Sequence, residues 1–280
     1  MRRKDGTLVK NEVPMYFLVP HFLTERNDAM NMVTLDIPID PQRAYMNAKR
    51  REGKRVSHMA ILMTAYARMA AEFPSVNRFI SNRRIYQHND FTVSLVVLRP
   101  GGGNNDTFSK VYIEPTDTIF EVQQKLDEYI ETNASGKEEN LLDKWMARLC
   151  RLNLLMRVGI NLIRFADKHG MLPKELCKAS PFHASVLVSN LASIRTNHIY
   201  HHVYNFGTTS VSITMGNLRE VPRRGKNGEV ELVRCMPLGV VMDERIASGH
   251  YLAQAFNRFK ELLTNPELLE QKPEAPVQDN

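Results

Sequence analysis

The sequence predicts a protein of the α+β class, in which helices flank a mixed β-sheet. Helical and strand patterns are mixed along the chain, and antiparallel hairpins come late. Hydrophobic residues make up 43% of the 280 residues and charged residues 24%, a balance that is typical of a folded globular chain. Helices that cover one sheet with antiparallel edges account for this arrangement.

Five helices are predicted from their N-terminal caps and apolar periodicity. They span about 40–51, 58–73, 118–131, 143–169 and 250–263. Asp40 is a residue type that favours the N-cap position, and Pro41 favours the first position of a helix, so we expect them to begin the helix 40–51. Ser57 is the candidate N-cap of the helix 58–73. Thr118 and Glu121 have the spacing of a capping box. The last helix carries a clean apolar stripe, so it is expected to pack against the core.

Six strands are predicted from runs of β-branched and apolar residues. They span about 84–86, 91–98, 108–113, 185–191, 208–220 and 230–242. Asn227 and Gly228 predict a tight hairpin turn ahead of the last strand. The glycine-rich stretch 100–105 is not followed by a helix, so we interpret it as a turn and not as a phosphate-binding loop.

Composition and charge limit the classes of function. The net charge is +6, which indicates either a mildly basic surface or attraction to a polyanion such as a nucleic acid, an anionic membrane or a phosphate-bearing ligand. The sequence lacks the aromatic-interleaved basic run typical of nucleic-acid binding. No run reaches the ~18 uncharged apolar residues that a spanning helix needs. Cys150, Cys177 and Cys235 are too widely spaced for a disulfide framework or a zinc knuckle, which favours a cytoplasmic location and no metal.

The predicted helix 143–169 is both basic and apolar, a composition that can lie on a membrane. Its arginines, Arg148, Arg151, Arg157 and Arg164, do not share one face when the whole stretch is considered. We therefore expect this helix to pack at a subunit contact or over the core, and we do not expect peripheral membrane contact.

Three segments, in this order, carry a resemblance to a known family. They are Ala70 to Asn77 (AAEFPSVN), Val186 to Leu191 (VLVSNL) and Met236 to Gly249 (MPLGVVMDERIASG). The sequence resembles the catalytic domain of the CoA-dependent acyltransferases of 2-oxoacid dehydrogenase complexes. The resemblance spans about residues 14–269 and implies a chloramphenicol acetyltransferase-like fold over residues 1–265, with a flexible tail at 266–280.

The resemblance also implies a chemistry and an assembly. The family transfers acyl groups between CoA and a small-molecule acceptor, and its active site lies between the subunits of a trimer. By this resemblance we expect a homotrimer or an assembly built from trimers, with CoA or acyl-CoA as substrate. We expect no lipoyl domain in this chain, and therefore a free-standing protein.

The family's catalytic histidine is replaced in this sequence. The resemblance aligns Glu244 with that histidine and Ser248 with the aspartate four residues later, while Asp243, Arg245 and Gly249 keep the family's residue types. An ordinary carboxylate is a poor base for a thiol, although burial can raise its pKa. The activity is therefore expected to be altered or lost, and the alternative is a non-catalytic trimeric binding or scaffold protein that keeps a CoA or acyl-ligand pocket.

Two further features are candidates for the chemistry. By the resemblance, Ser189 lies near the acyl-binding site and is a candidate oxyanion donor; a locally bonded strand serine is the alternative. The segment 198–204, with sequence HIYHHVY, offers His198, His201 and His202 as replacements for the base, because histidine titrates near neutral pH. A hydrogen-bonded cluster at a subunit contact is the alternative there.

Overall fold

The structure is a computed structural model that describes residues 3–98, 106–134, 153–225 and 227–273. The helices in these ranges are α1 (Pro14–Phe22), α2 (Asp40–Arg51), α3 (His58–Glu72), α4 (Ile119–Ala134), α5 (Asn153–Lys168), α6 (Lys174–Ala179) and α7 (Gly249–Thr264). The strands are β1 (Gly6–Leu8), β2 (Met30–Pro38), β3 (Arg78–Ser81), β4 (Arg84–His88), β5 (Thr92–Leu98), β6 (Asp106–Tyr112), β7 (Val186–Asn190), β8 (Val211–Met215), β9 (Arg219–Arg224) and β10 (Val230–Asp243).

The main sheet has seven strands in the order β2-β10-β8-β7-β5-β6, with β9 paired to the first half of β10. The pairs β5–β7 and β7–β8 are parallel, and the others are antiparallel. A second sheet has the order β1-β4-β3. The predicted mixed sheet flanked by helices is confirmed.

The core lies between one face of the main sheet and helices α3, α4 and α7. Helix α3 is buried almost all round, because small alanines allow its neighbours to approach on every side. Tyr66 of α3 packs edge-on against Phe259 of α7 with ring centroids 5.7 Å apart. Both side chains are fully buried, and burial of a phenylalanine side chain such as that of Phe259 stabilises the fold by about 1.5–3 kcal/mol.

Two of the three predicted helix caps are confirmed. Ser57 Oγ accepts a hydrogen bond of 3.2 Å from the backbone N–H of Ala60. The backbone N–H of Thr118 donates to the Glu121 carboxylate at 2.7 Å, and the Glu121 N–H donates back to Thr118 Oγ1. The prediction for Asp40 is wrong: it is the first helical residue, and no side chain caps α2.

The predicted strand 208–220 is also wrong as a single element. It divides into β8 and β9, which pair with consecutive parts of β10. Met215 pairs with Leu238 and Arg219 with Cys235, so one extra residue interrupts the ladder between the two strands. A Cβ at Gly216 would lie 2.2 Å from the backbone nitrogen of His198, so another segment crosses the sheet there. The predicted hairpin turn after β9 is confirmed, with Gly228 at a φ of 84°. Strands β1 and β2 and helix α1 were not predicted.

The end of the chain packs further than its sequence suggested. Residues Pro266–Leu269 form a 3-10 turn, and Leu269 is fully buried in the core. The packed part of the chain therefore passes the boundary predicted at residue 265. The predicted loop 100–105 and the first ten residues of the predicted helix 143–169 lie outside the described residues.

Helix α5 is the described part of the predicted helix 143–169. Arg157 and Arg164 lie on the same side of it, because seven residues make close to two turns. Arg148 and Arg151 lie outside the described residues, so the prediction for all four arginines stays untested. The leucines of α5 are exposed instead of packed over the core. In the described ranges, no helix combines the length and the apolar character needed to cross a membrane.

Candidate functional site

The C-terminal end of β10 is held by a buried ion-pair group that we call the Asp243 cluster: Asp243, Arg245 and Arg26. Arg245 binds the Asp243 carboxylate with both arms of its guanidinium, at 2.8 Å and 2.7 Å. Arg26 Nε lies 3.5 Å from Asp243 Oδ2. These side chains are at most 4% exposed. Bidentate geometry and burial make this end of the strand rigid.

Glu244 lies beside this cluster but does not join it. Its backbone N–H donates to the Ala29 carbonyl at 2.8 Å, and its carboxylate accepts from Asn31 Nδ2 at 2.9 Å. Arg245 binds Asp243 and does not pair with Glu244. No cation pairs with Glu244 among the residues that the structure describes. The side chain is half-buried and tied to a neutral amide.

Ser248 and Gly249 have structural roles at the start of α7. Ser248 Oγ accepts a hydrogen bond of 3.1 Å from the backbone N–H of Tyr251, so it is the N-cap of that helix. Gly249 is the first helical residue and is exposed. An aspartate at position 248 would cap the helix equally well, so the change from the family's residue leaves the local structure intact.

A second polar region crosses the face of the main sheet opposite the helices. Ser189 of β7, Thr214 of β8, Gly239 of β10 and Thr34 of β2 pair in register across four adjacent strands. Side chains of paired residues point to the same face. We call Ser189, Thr214 and Thr34 the hydroxyl row.

The segment after β7 crosses the hydroxyl row and places His198 on it. His198 Nε2 lies 3.0 Å from Thr34 Oγ1, which lies 2.6 Å from the hydroxyl of Tyr200. Thr214 Oγ1 holds the same segment by hydrogen bonds with the N–H and the carbonyl of Ile199. A Cβ at Gly239 would lie 2.3 Å from the Ile199 oxygen, so the glycine permits this close approach.

The environment of His198 keeps its imidazole neutral. Burial lowers the pKa of His198 below its usual value, and the positive charge of Arg219 lowers it further. The negative charge of Asp36, which binds Arg219 through both oxygens at 2.9 Å, acts in the opposite direction. His198 Nδ1 is buried without a hydrogen-bond partner. A neutral ring bound to a hydroxyl can accept a proton through that hydroxyl.

The other two candidate histidines, His201 and His202, lie further along the same segment. Their rings stack at 5.2 Å, and His201 Nδ1 bonds the His202 carbonyl at 2.9 Å. Neither ring contacts the hydroxyl row. Of the three rings, only that of His198 meets the hydroxyl row, and the role of this segment as the source of a base stays a prediction. The order of residues in the segment 198–204 did not indicate which of the three imidazole rings faces the sheet.

Within one chain, Ser189 and Glu244 are not brought together. Ser189 lies two strands away from Gly239 in the sheet. Glu244 follows the last residue of β10 and lies five residues after Gly239, which corresponds to roughly 17 Å between Gly239 and Glu244 at the usual rise of a strand. Ser189 and His198 are closer, since the His198 ring lies over Gly239.

One other group has the residue types of a metal site. Ligand atoms of Asp5, Cys177 and His183 lie within 4.8 Å of one another. Arg3 occupies both oxygens of Asp5 at 2.8 Å. Ser180 and Asp167 occupy the two ring nitrogens of His183. Burial raises the pKa of Cys177 to about 11, so its thiol stays neutral. We do not assign a metal to these residues.

The C-terminal third of the chain matches a known family. Residues 183–270 match the model of the 2-oxoacid dehydrogenases acyltransferase catalytic domain. This range includes the hydroxyl row's Ser189 and Thr214, His198 and the residues at 243–249. No curated protein sequence matches the chain.

Solved structures share the fold over almost the whole chain. A probable dihydrolipoamide acetyltransferase from Listeria monocytogenes 4b F2365 is 12% identical, covers 96% of this chain and 99% of its own, and superposes with a TM-score of 0.57. The cubic core of a pyruvate dehydrogenase multienzyme complex is 15% identical over 93% of this chain and 94% of its own, with a TM-score of 0.60. A chloramphenicol acetyltransferase is 13% identical over 92% of this chain and 99% of its own, with a TM-score of 0.54.

These likenesses confirm the resemblance seen in the sequence: the chain has the acyltransferase catalytic-core fold of the 2-oxoacid dehydrogenase type.

Proposed function

We propose that this protein is an acyl-CoA-dependent acyltransferase in which His198, and not the residue at position 244, provides the base. The observation that carries the proposal is the position of His198 Nε2, 3.0 Å from the Thr34 hydroxyl. Burial and the charge of Arg219 lower the pKa of this ring, which favours its neutral form. Glu244 offers no comparable arrangement, since its carboxylate is bound to the amide of Asn31.

The residues supply a proton path for acyl transfer. The acceptor's hydroxyl or thiol gives its proton to His198 Nε2 through the hydroxyls of Tyr200 and Thr34, which lie 2.6 Å apart. The acceptor then attacks the acyl carbonyl. Ser189 lies three strands from Thr34 in the same chain, about 14 Å at the usual strand spacing, so in this proposal the Ser189 Oγ that stabilises the oxyanion comes from a neighbouring subunit. As the carbon–sulfur bond breaks, the CoA thiolate takes the proton back from His198. General base catalysis of this kind contributes about 10²–10⁴-fold.

The proposal includes a homotrimer, a small-molecule acceptor and a cytoplasmic location. The similar structures include a core of a multienzyme complex, which supports an oligomeric assembly. Strand β2, at the edge of the main sheet, exposes Met32 and Val33, and Ile199 and Tyr200 are exposed nearby. A neighbouring subunit packed against this edge would cover these side chains and enclose the hydroxyl row.

Thiol release from acetyl-CoA by the purified full chain tests the proposal. A panel of hydroxyl, thiol and amine acceptors should include at least one that raises CoA release well above the rate of hydrolysis. Thermal unfolding with CoA is measured in parallel, since a ligand at about 100 times its Kd stabilises by about 2.7 kcal/mol.

The alternative is a non-catalytic relative that keeps a CoA or acyl-ligand pocket. The neutral contacts of Glu244 and the capping role of Ser248 favour it, because both residues serve the local structure without a reactive group. CoA-dependent stabilisation without CoA release from any acceptor would decide for this alternative. CoA release by a variant that lacks the His198 side chain would support an acyltransferase activity but would reject His198 as its base.

A further inference from the structure

Helix α5 exposes a continuous apolar face. Five large side chains on it are between 52% and 75% exposed: Leu154, Leu155, Val158, Leu162 and Phe165. At 100° per residue they fall within an arc of about 100° on the helix surface. An exposed apolar strip of this size on a helix marks an interaction surface.

The polar edge of the same helix is cationic. Arg157, Arg164 and Lys168, together with Asn161, fall within an arc of about 60° beside the apolar face. The helix has one carboxylate, Asp167, and it points inward, where it binds Arg3 at 2.8 Å and His183 at 3.2 Å. The outward surface of α5 therefore carries positive charge without a compensating acid of its own.

A cavity lies where this cationic edge ends. It has a volume of about 350 Å³, and the side chains of Arg83, Arg164 and Lys168 line it. None of these three cations has a carboxylate partner among the residues that the structure describes. Two carboxylates, Glu25 and Asp167, also line the cavity. The charge of Asp167 is compensated by its ion pair with Arg3.

Helix α1 adds a second apolar contact near the same cavity. Phe22, its last residue, is 80% exposed, and Met15 and Leu18 are also exposed. Two residues after Phe22, Thr24 lines the cavity together with Phe165 of α5. Phe165 of α5 thus lines the cavity itself, and the exposed apolar residues of α1 end two residues before Thr24 in its lining.

We propose that α5 binds the surface of an anionic phospholipid bilayer, lying in the plane of the interface. Its exposed leucines and Phe165 enter the boundary between headgroups and acyl chains, and Arg157, Arg164 and Lys168 pair with lipid phosphates. The charge distribution favours a lipid surface, since an amphipathic helix with one cationic edge binds anionic interfaces through apolar burial and electrostatic attraction together. The proposal is independent of the acyltransferase activity.

Vesicle co-sedimentation of the full chain tests it. Phosphatidylcholine vesicles that contain phosphatidylglycerol are compared with vesicles of pure phosphatidylcholine. We expect binding to the anionic vesicles only, and weaker binding when salt rises from about 0.1 M to about 0.5 M, because the Debye length falls by more than half. The double variant Leu162→Ser/Phe165→Ser should bind at least about tenfold more weakly.

A second variant and a matched control isolate the two contributions. Arg157→Gln/Arg164→Gln keeps the apolar face and should bind about tenfold more weakly to anionic vesicles, with little remaining dependence on salt. The control Val230→Ser/Leu232→Ser removes two apolar side chains that are 74% and 65% exposed on β10, and it should bind like the unmodified protein.

Several outcomes would overturn the proposal. They are failure of the unmodified protein to bind anionic vesicles, binding by Leu162→Ser/Phe165→Ser equal to that of the control, and binding by the charge variant that keeps its full dependence on salt. Light-scattering masses are measured for every variant. A lower mass for Leu162→Ser/Phe165→Ser would assign the face to a contact between copies of the chain and reject the lipid surface.

Discussion

The Asp243 cluster and the hydroxyl row lie on neighbouring parts of the same sheet, but they differ in how their polar groups are satisfied. In the cluster, one carboxylate binds two buried guanidinium groups. On the hydroxyl row, His198 has a buried ring nitrogen without a partner and a hydroxyl chain that reaches the exposed Tyr200. The first arrangement fixes a strand end, and the second leaves a group free to exchange a proton.

The Asp243 cluster therefore supports the fold, while the hydroxyl row carries the groups proposed for proton transfer. Asp243 and Arg245 keep the residue types that the resemblance implies for the family, and the resemblance aligns Glu244 with the family's histidine. Glu244 takes no part in the buried ion pair between Asp243 and Arg245 on either side of it. The geometry of the Asp243 cluster therefore does not depend on the side chain at position 244.

The largest expected effect is on stability, from Asp243→Asn. The change removes the carboxylate from Arg26 and Arg245, and two buried cations lose their counterion. Breaking a buried ion pair costs about 3–5 kcal/mol, so the free energy of unfolding in urea should fall by that amount.

The matched control is Asp36→Asn, which breaks the bidentate pair with Arg219 on the hydroxyl-row side. That pair is partly exposed, so its loss should cost no more than about 1 kcal/mol. Equal losses from the two variants would show that the cluster does not provide special support.

The sequence predicted much of the frame. Local signals identified Ser57 and Glu121 as capping residues, because caps depend on neighbours only a few residues away. Strand β2 was missed, since its burial comes from pairing with β10, about 200 residues later along the chain. Helix α1 was missed because Pro20 lies inside it.

The site was only partly predictable for the same reason. The sequence indicated that 198–204 could supply a base, but the ring that meets Thr34 is chosen by a crossing at Gly216 and Gly239. Both glycines are ordinary residues in the sequence, and only the approach of a distant backbone gives them a function.

A smaller effect, on activity alone, is expected from Thr34→Val. Valine keeps the shape of threonine but removes the hydroxyl that links Tyr200 to His198 Nε2. We expect kcat for acyl transfer to fall by roughly 10–100-fold with an unchanged melting temperature, since one member of the proton path is lost. Thr7→Val, on β1, is the control and should keep full activity; equal activity of both variants would remove Thr34 from the path.

The smallest effect is a shift of the pH profile in Arg219→Gln. The charge of Arg219 lowers the pKa of His198, and its removal also frees Asp36, whose charge raises that pKa. Because the base must be neutral, kcat/KM is lost as the pH falls through the pKa of His198. The acid limb of the kcat/KM profile should therefore move to higher pH in Arg219→Gln. The control variant Arg224→Gln should leave that limb in place. A limb that stays fixed or moves to lower pH would contradict this electrostatic account.

The most direct measurement compares His198→Asn with Glu244→Gln in the release of CoA from acetyl-CoA with an active acceptor. Asparagine and glutamine remove the titrating group and keep a similar shape, so both variants should fold. The account predicts that His198→Asn lowers kcat by about 10²–10⁴-fold, while Glu244→Gln stays within about twofold of the unmodified protein. The opposite result, with turnover lost in Glu244→Gln and retained in His198→Asn, would contradict the account and return the base to position 244.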